Sequence, residues 1–84
     1  MTNDVIQKFV ETDDRKNKRV RIHFKARNTI TGIFVFGSDY KDMKVKNFWR
    51  IVPQASIEQW ENSNDPSLSR IYNGSEFTKL TDDK

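Results

Sequence analysis

The sequence RVRIHFKARNTITGIFVFG, residues 19–37, contains the clearest indication of secondary structure in this protein. From Val20 to Ala26, apolar residues occupy every second position and basic residues or a histidine lie between them, which predicts a β-strand with one buried face. From Ile30 to Gly37 the residues are apolar on both faces, so we predict a second strand in the middle of a sheet or barrel wall. Gly32 suits a bend or bulge, because without a Cβ the backbone can coil sharply or let another chain approach.

Further elements are predicted on both sides of these two strands. Asn3–Val10 begins with residue types that cap helices and repeats its apolar residues at helical spacing, which indicates a short amphipathic helix. After a turn at residues 38–42, Met43–Val52 is predicted to return as one long strand or two short ones, with a break at Asn47. Pro53 marks the end of this segment because proline has no N–H for a ladder hydrogen bond.

The last third of the chain combines helix and strand signals. Ser56 and Gln59 fit a helix capping box, and Ile57 and Trp60 then share one helical face, so a short helix is predicted there.

The segment Asp65–Gly74 has two interpretations. Asp65-Pro66 opens a second short helix that Asn73-Gly74 ends, followed by a strand over Glu76–Leu80. The alternative is a hairpin in which Asn73-Gly74 turns between strands at residues 67–72 and 75–80. Pro66 favours the helix.

Together these elements predict a single, mainly β domain over residues 1–84. We expect a small, strongly bent antiparallel barrel or barrel-like sheet of four or five strands, with an N-terminal helix and one or two short helices before the last strand. A chain of this length has room for one core only. The polar stretch Glu11–Lys18 is predicted to be a loop, and residues 1–3 and 81–84 are predicted to be disordered ends.

The composition excludes several classes of protein. Without any cysteine, the chain can form neither a disulfide nor a cysteine-ligated metal site. Leu, Ile, Val and Phe account for 21 of the 84 residues, which is enough for a folded core. No apolar run approaches the ~18 residues of a membrane span, and the N-terminus lacks a secretory signal. We therefore expect a cytoplasmic protein that does not associate with membranes.

Residues that support catalysis or hold a cofactor are sparse. His23 is the only histidine, so there is no histidine pair for a metal and no second imidazole for a proton relay. The adjacent acids Asp13-Asp14 and Asp82-Asp83 lie in segments predicted to be loop and tail, where nothing fixes their geometry. The three glycines match no nucleotide-binding fingerprint. We expect no catalytic residue, no cofactor and no metal, and we predict a binding module rather than an enzyme.

Charge is unevenly distributed along the chain. Residues 1–14 hold one basic residue against four acidic ones, residues 15–50 eleven against two, and residues 51–84 three against six. The net charge of +3 therefore conceals a central block of +9. If folding keeps the blocks apart, the central block attracts anionic partners; if folding interleaves them, the charges pair with one another.

The basic block suggests a binding face. Alternation places five side chains on one face of the first strand, and such a ridge suits single-stranded RNA or DNA, because Arg binds phosphate oxygens in a bidentate manner and aromatic rings stack on unpaired bases. The residues of this ridge are Arg19, Arg21, His23, Lys25 and Arg27. Basic residues that extend it from the neighbouring strand are Lys44, Lys46 and Arg50, and the possible stacking residues are Tyr40 and Trp49.

The same residues also fit a structural role or a protein interface. Basic side chains protect an edge strand from aggregation. Phe48 and Trp49 are more often core residues than stacking platforms, and only one of the two can point inward in a regular strand. In that case the protein is a protein-interaction or homo-oligomerisation module, with apolar residues around Trp49 and Trp60 meeting the partner.

A longer pattern joins the predicted elements. After a helix and a basic loop come alternating apolar residues, a turn, a strand with a central glycine and an acid in the next loop: Val20, Ile22, Phe24, Ile30, Gly32, Phe34 and Asp39. This pattern, over residues 4–53, resembles the first signature motif of the Sm-like family, including its bacterial Hfq-type branch. The second motif, with its Arg-Gly or Lys-His signature, is absent from the corresponding residues 47–53. The resemblance implies a five-stranded barrel that forms rings by pairing edge strands and that binds RNA.

Overall fold

The computed structural model describes residues 1–11 and 18–82, and these ranges contain five β-strands and three α-helices. In chain order they are α1 (Asn3–Glu11), β1 (Val20–Phe24), β2 (Ile30–Phe34), α2 (Tyr40–Val45), β3 (Phe48–Pro53), α3 (Gln54–Ser63), β4 (Arg70–Asn73) and β5 (Phe77–Asp82). Two 3-10 helices, Pro66–Leu68 and Gly74–Glu76, precede and follow β4. Most of the predicted loop between α1 and β1 lies outside the described residues.

The five strands form one antiparallel sheet in the order β4-β3-β2-β1-β5. β1 lies between β2 and β5, with Ile22 opposite both Ile30 and Leu80. β4 and β5 occupy the two edges and do not pair with each other, so the sheet is not closed into a barrel. The predicted β-rich fold, with an N-terminal helix and helical segments before the last strand, is confirmed.

Apolar side chains cover both faces of the middle of the sheet. The main core lies on one face and includes Trp49, and a second cluster of Ile33, Val52 and Ile57 lies on the other, under α3. The placement of β2 inside the sheet with two apolar faces is therefore confirmed. Each fully buried Val, Leu, Ile or Phe side chain contributes roughly 1.5–3 kcal/mol to the stability of the fold, because its apolar surface is removed from water. The buried members of the main core are Ile6, Val10, Val20, Ile22, Phe34, Trp49, Ile51, Phe77 and Leu80.

Gly32 lies on β2, close to the side chain of Ile51 and the backbone of Val52 in β3. A Cβ at this position would lie 2.6 Å from Cγ2 of Ile51 and 2.8 Å from the carbonyl oxygen of Val52. The predicted close approach of a neighbouring strand at Gly32 is confirmed.

The N-terminal helix forms where the sequence predicts it, with Ile6 and Val10 buried against the sheet. Ahead of it, the α-amino group of Met1 donates hydrogen bonds to the carbonyl oxygens of Gly74 (3.0 Å) and Phe77 (2.7 Å). Residues 1–3, which we predict to be disordered, thus make contacts with the start of β5.

The other predicted disordered end, residues 81–84, divides into two parts. Thr81 and Asp82 belong to β5 and pair with β1. Residues 83 and 84 lie outside the described residues.

The prediction of one or two strands over Met43–Val52 is wrong for its first part. Tyr40–Val45 forms α2, because one turn of helix lets the Tyr40 ring pack against Phe36 (4.6 Å between centroids) and Trp49 (6.0 Å). The predicted break is confirmed: Asn47 has a φ of 62° and separates α2 from β3, which ends at Pro53.

The predicted capping box at Ser56 is wrong, since α3 already begins at Gln54 and Ser56 lies within its first turn. The face of this helix agrees with the prediction. Ile57 is buried and Trp60 packs against the same cluster.

Neither interpretation of Asp65–Gly74 is correct in full. The helix is a single 3-10 turn, capped by the Asp65 carboxylate, which accepts from the backbone N–H of Ser67 at 3.0 Å. β4 follows, but it pairs with β3, while β5 pairs with β1. The hairpin fails because both strands find other partners in the sheet. Gly74, which belongs to the predicted hairpin turn, lies in a 3-10 helix and has no positive φ.

Within residues 1–11 and 18–82, no helix is long and apolar enough to cross a membrane.

Candidate functional site

The predicted basic ridge starts on β1. Arg21 and His23 alternate with the buried Val20 and Ile22 and point to the opposite face of the sheet. This strand is not an edge, since β2 and β5 pair with it on either side. Protection of a sheet edge therefore does not account for the basic residues of β1 in the folded protein.

The ridge does not continue over all five predicted residues. β1 ends at Phe24, and its register with β5 shifts between His23 and Phe24. The Lys25 backbone N–H then donates to the carbonyl oxygen of Glu76 (2.9 Å). Arg27 lies over the ring of Phe24, whose side chain packs against the main core. Sequence alternation fails here because it assumes a regular strand up to residue 27.

The remaining predicted basic residues do not extend the ridge from a neighbouring strand. Lys44 lies on α2, 3.5 Å from the Glu11 carboxylate, and Lys46 is the last residue before Asn47. Arg50 lies on β3, which is separated from β1 by β2.

Neither predicted stacking residue offers a free ring. Trp49 is 1% exposed and donates from its indole nitrogen to Oδ1 of Asn47 at 2.8 Å. The alternative interpretation of Trp49 as a core residue is thus correct, with Phe48 pointing to the other face. The Tyr40 ring is half-buried, and its hydroxyl donates to Glu11 at 2.5 Å.

This tyrosine and its partner carboxylate perturb each other. Burial raises the pKa of Tyr40 above its usual value, and the hydrogen bond to Glu11 raises it further. The same hydrogen bond lowers the pKa of Glu11. The contact joins α1 to α2 and so has a structural role.

Three arginines meet instead around a cleft of about 900 Å³ beside β4. Arg27 comes from the turn after β1, Arg50 from β3 and Arg70 from β4, which the sequence places up to 43 positions apart. Aromatic side chains and one acid complete the walls. We call this site the arginine cleft and define it by Phe24, Arg27, Arg50, Arg70, Tyr72 and Glu76.

Arg27 is held by aromatic rings. Its guanidinium lies 5.3 Å from the centroid of Phe24 and 5.9 Å from that of Tyr72, within the range of cation–π attraction. The two rings are 5.8 Å apart, and Phe24 also packs edge-on against Phe77 at 5.2 Å. The cluster fixes a planar cation at the mouth of the cleft.

The three arginines differ in whether an acidic side chain neutralises their charge. Arg50 donates to Oδ2 of Asp39 at 2.7 Å. Neither Arg27 nor Arg70 forms an ion pair with any residue that the structure describes, and both are exposed. The cleft therefore carries positive charge that is open to an anionic ligand.

Arg70, Phe24 and Tyr72 are not among the predicted site residues. Arg70 and Tyr72 fall in the segment that the sequence assigns to a helix or a hairpin, and Phe24 alternates as a core residue. No local pattern indicates that β4 pairs with β3, and this pairing sets Arg70 opposite Ile51, one position along β3 from Arg50.

The cleft offers groups that bind anions. Guanidinium groups donate fixed pairs of hydrogen bonds to phosphate or carboxylate oxygens. Across the described residues, no three His, Cys, Asp or Glu side chains come together to hold a metal ion.

No family of known proteins, no curated protein and no solved structure matches this chain. The resemblance to the Sm-like family therefore stays a prediction.

Proposed function

We propose that this protein is a small non-catalytic module that binds single-stranded RNA or DNA, with the arginine cleft as its binding site. One observation carries the proposal: two exposed arginines, which form no ion pair with a described residue, line one cleft together with Arg50, and one of them, Arg27, lies over the rings of Phe24 and Tyr72. An N-terminal helix followed by five antiparallel strands supports the related proposal of an Sm-like fold. A cytoplasmic location would give such a module access to RNA.

The chemistry of the cleft suits a single strand. Phosphate oxygens accept bidentate hydrogen bonds from the exposed Arg70, while Arg50 stays bound to Asp39. An unpaired base stacks on an arginine plane as it does on an aromatic ring, and the Phe24 and Tyr72 rings hold the Arg27 plane in place. A duplex has its bases already stacked, so it gains only the phosphate contacts.

The test is fluorescence anisotropy with labelled single-stranded oligonucleotides over a salt series. We expect the affinity of the native protein to fall as salt rises. Arg27→Gln/Arg70→Gln should weaken binding about tenfold or more and reduce the salt slope by about 0.7, since Arg70 makes a phosphate contact worth about 0.7 on a single strand, whereas Arg27 stacks on a base. The matched control is Lys41→Gln, an exposed cation on α2, which should change affinity less than twofold.

Two results would overturn this proposal. Affinity that does not respond to salt would show that phosphate contacts do not drive binding. A larger loss in Arg21→Gln/Lys25→Gln than in the cleft variant moves the site to the outer face of β1.

A second candidate function is assembly with another protein or with copies of this chain. It is favoured by the two edge strands, β4 and β5, and by Ile71, which is 57% exposed on β4. Trp49 takes no part in such an interface because it is buried. Sedimentation of the purified protein distinguishes the two functions: a monomer that binds oligonucleotides supports the first, and an oligomer that Ile71→Glu dissociates supports the second.

A further inference from the structure

A second groove lies on the other side of Arg50 from the arginine cleft. It has a volume of about 640 Å³ and runs between the chain that follows β2 and the C-terminal end of α3. Both depressions include Arg50 in their walls, so this side chain belongs to both. We call the second depression the Trp60 groove and define it by Phe36, Asp39, Arg50, Trp60, Asn64 and Pro66.

One wall of this groove is aromatic. Trp60 is half-buried: it packs against Ile33, Val52 and Ile57 and also lines the groove. Phe36 contributes to the wall, with its own ring fixed by Tyr40 at 4.6 Å. A planar ligand that enters the groove therefore meets an indole whose position is already set by packing.

The other wall carries a carboxylate. Oδ2 of Asp39 accepts from Nη2 of Arg50, while Oδ1 accepts no hydrogen bond from any residue that the structure describes. The Asp39 side chain is 45% exposed and lines the groove, so its carboxylate is accessible to a ligand. A carboxylate accepts hydrogen bonds and donates none, hence it selects ligand edges that carry donors.

We propose that the Trp60 groove binds a guanine base. The inference rests on the proposed function: the guanine belongs to the same single strand whose phosphates lie in the arginine cleft. Its ring stacks on Trp60, and its N1–H and N2–H groups donate to the Asp39 carboxylate. Guanine is the base that presents two neighbouring donors on its Watson–Crick edge, whereas adenine and cytosine present a donor beside an acceptor and uracil a donor between two acceptors.

Arg50 joins the two sites. It donates to Asp39 through Nη2, and Nη1 lies 3.4 Å from Oγ of Ser69, which lines the arginine cleft. The guanidinium thus holds the Asp39 carboxylate in place for the base while facing the side where phosphates bind.

The experiment has a direct optical readout, because the chain contains two tryptophans and Trp49 is buried. Titration with guanosine monophosphate should quench the fluorescence of Trp60, and adenosine, cytidine and uridine monophosphates should require about tenfold higher concentrations. Trp60→Leu keeps apolar packing under α3 and should abolish the quenching. Asp39→Asn keeps an oxygen for Arg50 but should remove the preference for guanine.

Oligonucleotide binding tests whether the groove also recognises a guanine within single-stranded nucleic acid. An oligouridine with one central guanosine should bind about tenfold more tightly than oligouridine alone, and Trp60→Leu should erase that difference while retaining the salt dependence. Glu58→Gln, an exposed acid on α3, is the matched control and should leave the difference intact. Thermal unfolding of each variant confirms that it folds.

The experiments distinguish failure of the guanine site from failure of the proposed function. Equal quenching by all four mononucleotides, or an unchanged guanosine preference in Trp60→Leu, overturns the guanine site and leaves the arginine cleft standing. If no oligonucleotide binds at any salt concentration, the proposed function fails and the guanine site fails with it.

Discussion

β3 and β4 are hydrogen-bonded neighbours paired over four positions, yet their surroundings differ. In β3, Trp49, Ile51 and Val52 are buried, whereas no residue of β4 is buried and Ile71 is 57% exposed. β3 has the main core on one face and α3 on the other, and β4 has a free edge beside the arginine cleft. Two strands that are paired through their backbones can therefore differ in how far their side chains are buried. On the proposed function, β4 contributes to binding through Arg70, whereas β3 contributes Arg50 to binding and its buried residues to stability.

Truncation of one residue on each strand should separate these two roles most clearly. Trp49→Ala should lower the free energy of unfolding by about 3–5 kcal/mol, because a large core side chain leaves a cavity. That is a large part of the roughly 4–12 kcal/mol expected for a domain of this size. Ile71→Ala should change it by less than about 0.5 kcal/mol. Urea unfolding followed by circular dichroism measures both, and similar losses would contradict the distinction between the strands.

A smaller loss of stability is expected when a methyl group is added at Gly32, where the neighbouring strand β3 lies close to β2. Gly32→Ala should cost about 2 kcal/mol, because its Cβ overlaps Ile51 and the backbone of Val52. Gly37→Ala is the control, since its Cβ would meet only the Asp39 carboxylate, at 3.2 Å. A Gly32→Ala variant as stable as the control would mean that the strands separate easily.

The polar contact beside the Trp49 core should contribute least. Tyr40→Phe removes the hydrogen bond to Glu11 and should cost about 1 kcal/mol or less, because Glu11 is largely exposed and solvent screens the contact. The raised pKa of Tyr40 gives stability that is present below the usual tyrosine pKa of 10.0 and is lost as pH rises above it. The lowered pKa of Glu11 gives stability that is present above the usual glutamate pKa of 4.5 and is lost on acidification below it.

Urea unfolding across both pH ranges checks this prediction. The native protein should lose more stability than Tyr40→Phe on moving into alkali and into acid. Parallel pH profiles for the two proteins would show that the contact contributes nothing.

Sequence patterns identify the elements whose neighbours are close in the chain. The alternation from Val20, the apolar run from Ile30 and the amphipathic helix from Asn3 all depend on local periodicity. The structure contains each of these elements, although β1 ends at Phe24 and β2 at Phe34. The same kind of pattern wrongly predicts a strand at Met43–Val45, because apolar residues at alternate positions are typical of a strand. In the structure this segment is helical, and the helix lets Tyr40 pack against Trp49.

The candidate site depends on features that local patterns do not record. Arg70 lies opposite Ile51, one position along β3 from Arg50, only because β4 pairs with β3 although α3 separates the two strands in the chain. The predicted ridge on β1 extends too far because a register shift after His23 leaves no mark in the sequence. Pairing between distant segments and strand irregularity account for both errors.

The strand order also bears on how the chain folds. Ile22 pairs with Leu80, 58 positions later, so β1 has only one of its two partners until nearly the whole chain is available. Such distant pairing slows folding, since loop closure precedes the gain from the contact. During that interval β1 is an edge strand, and its unpaired backbone groups can join another unfinished chain. Arg21 and His23 then stand beside a temporary edge and hinder misassociation, a protection that is needed only until β5 completes the sheet.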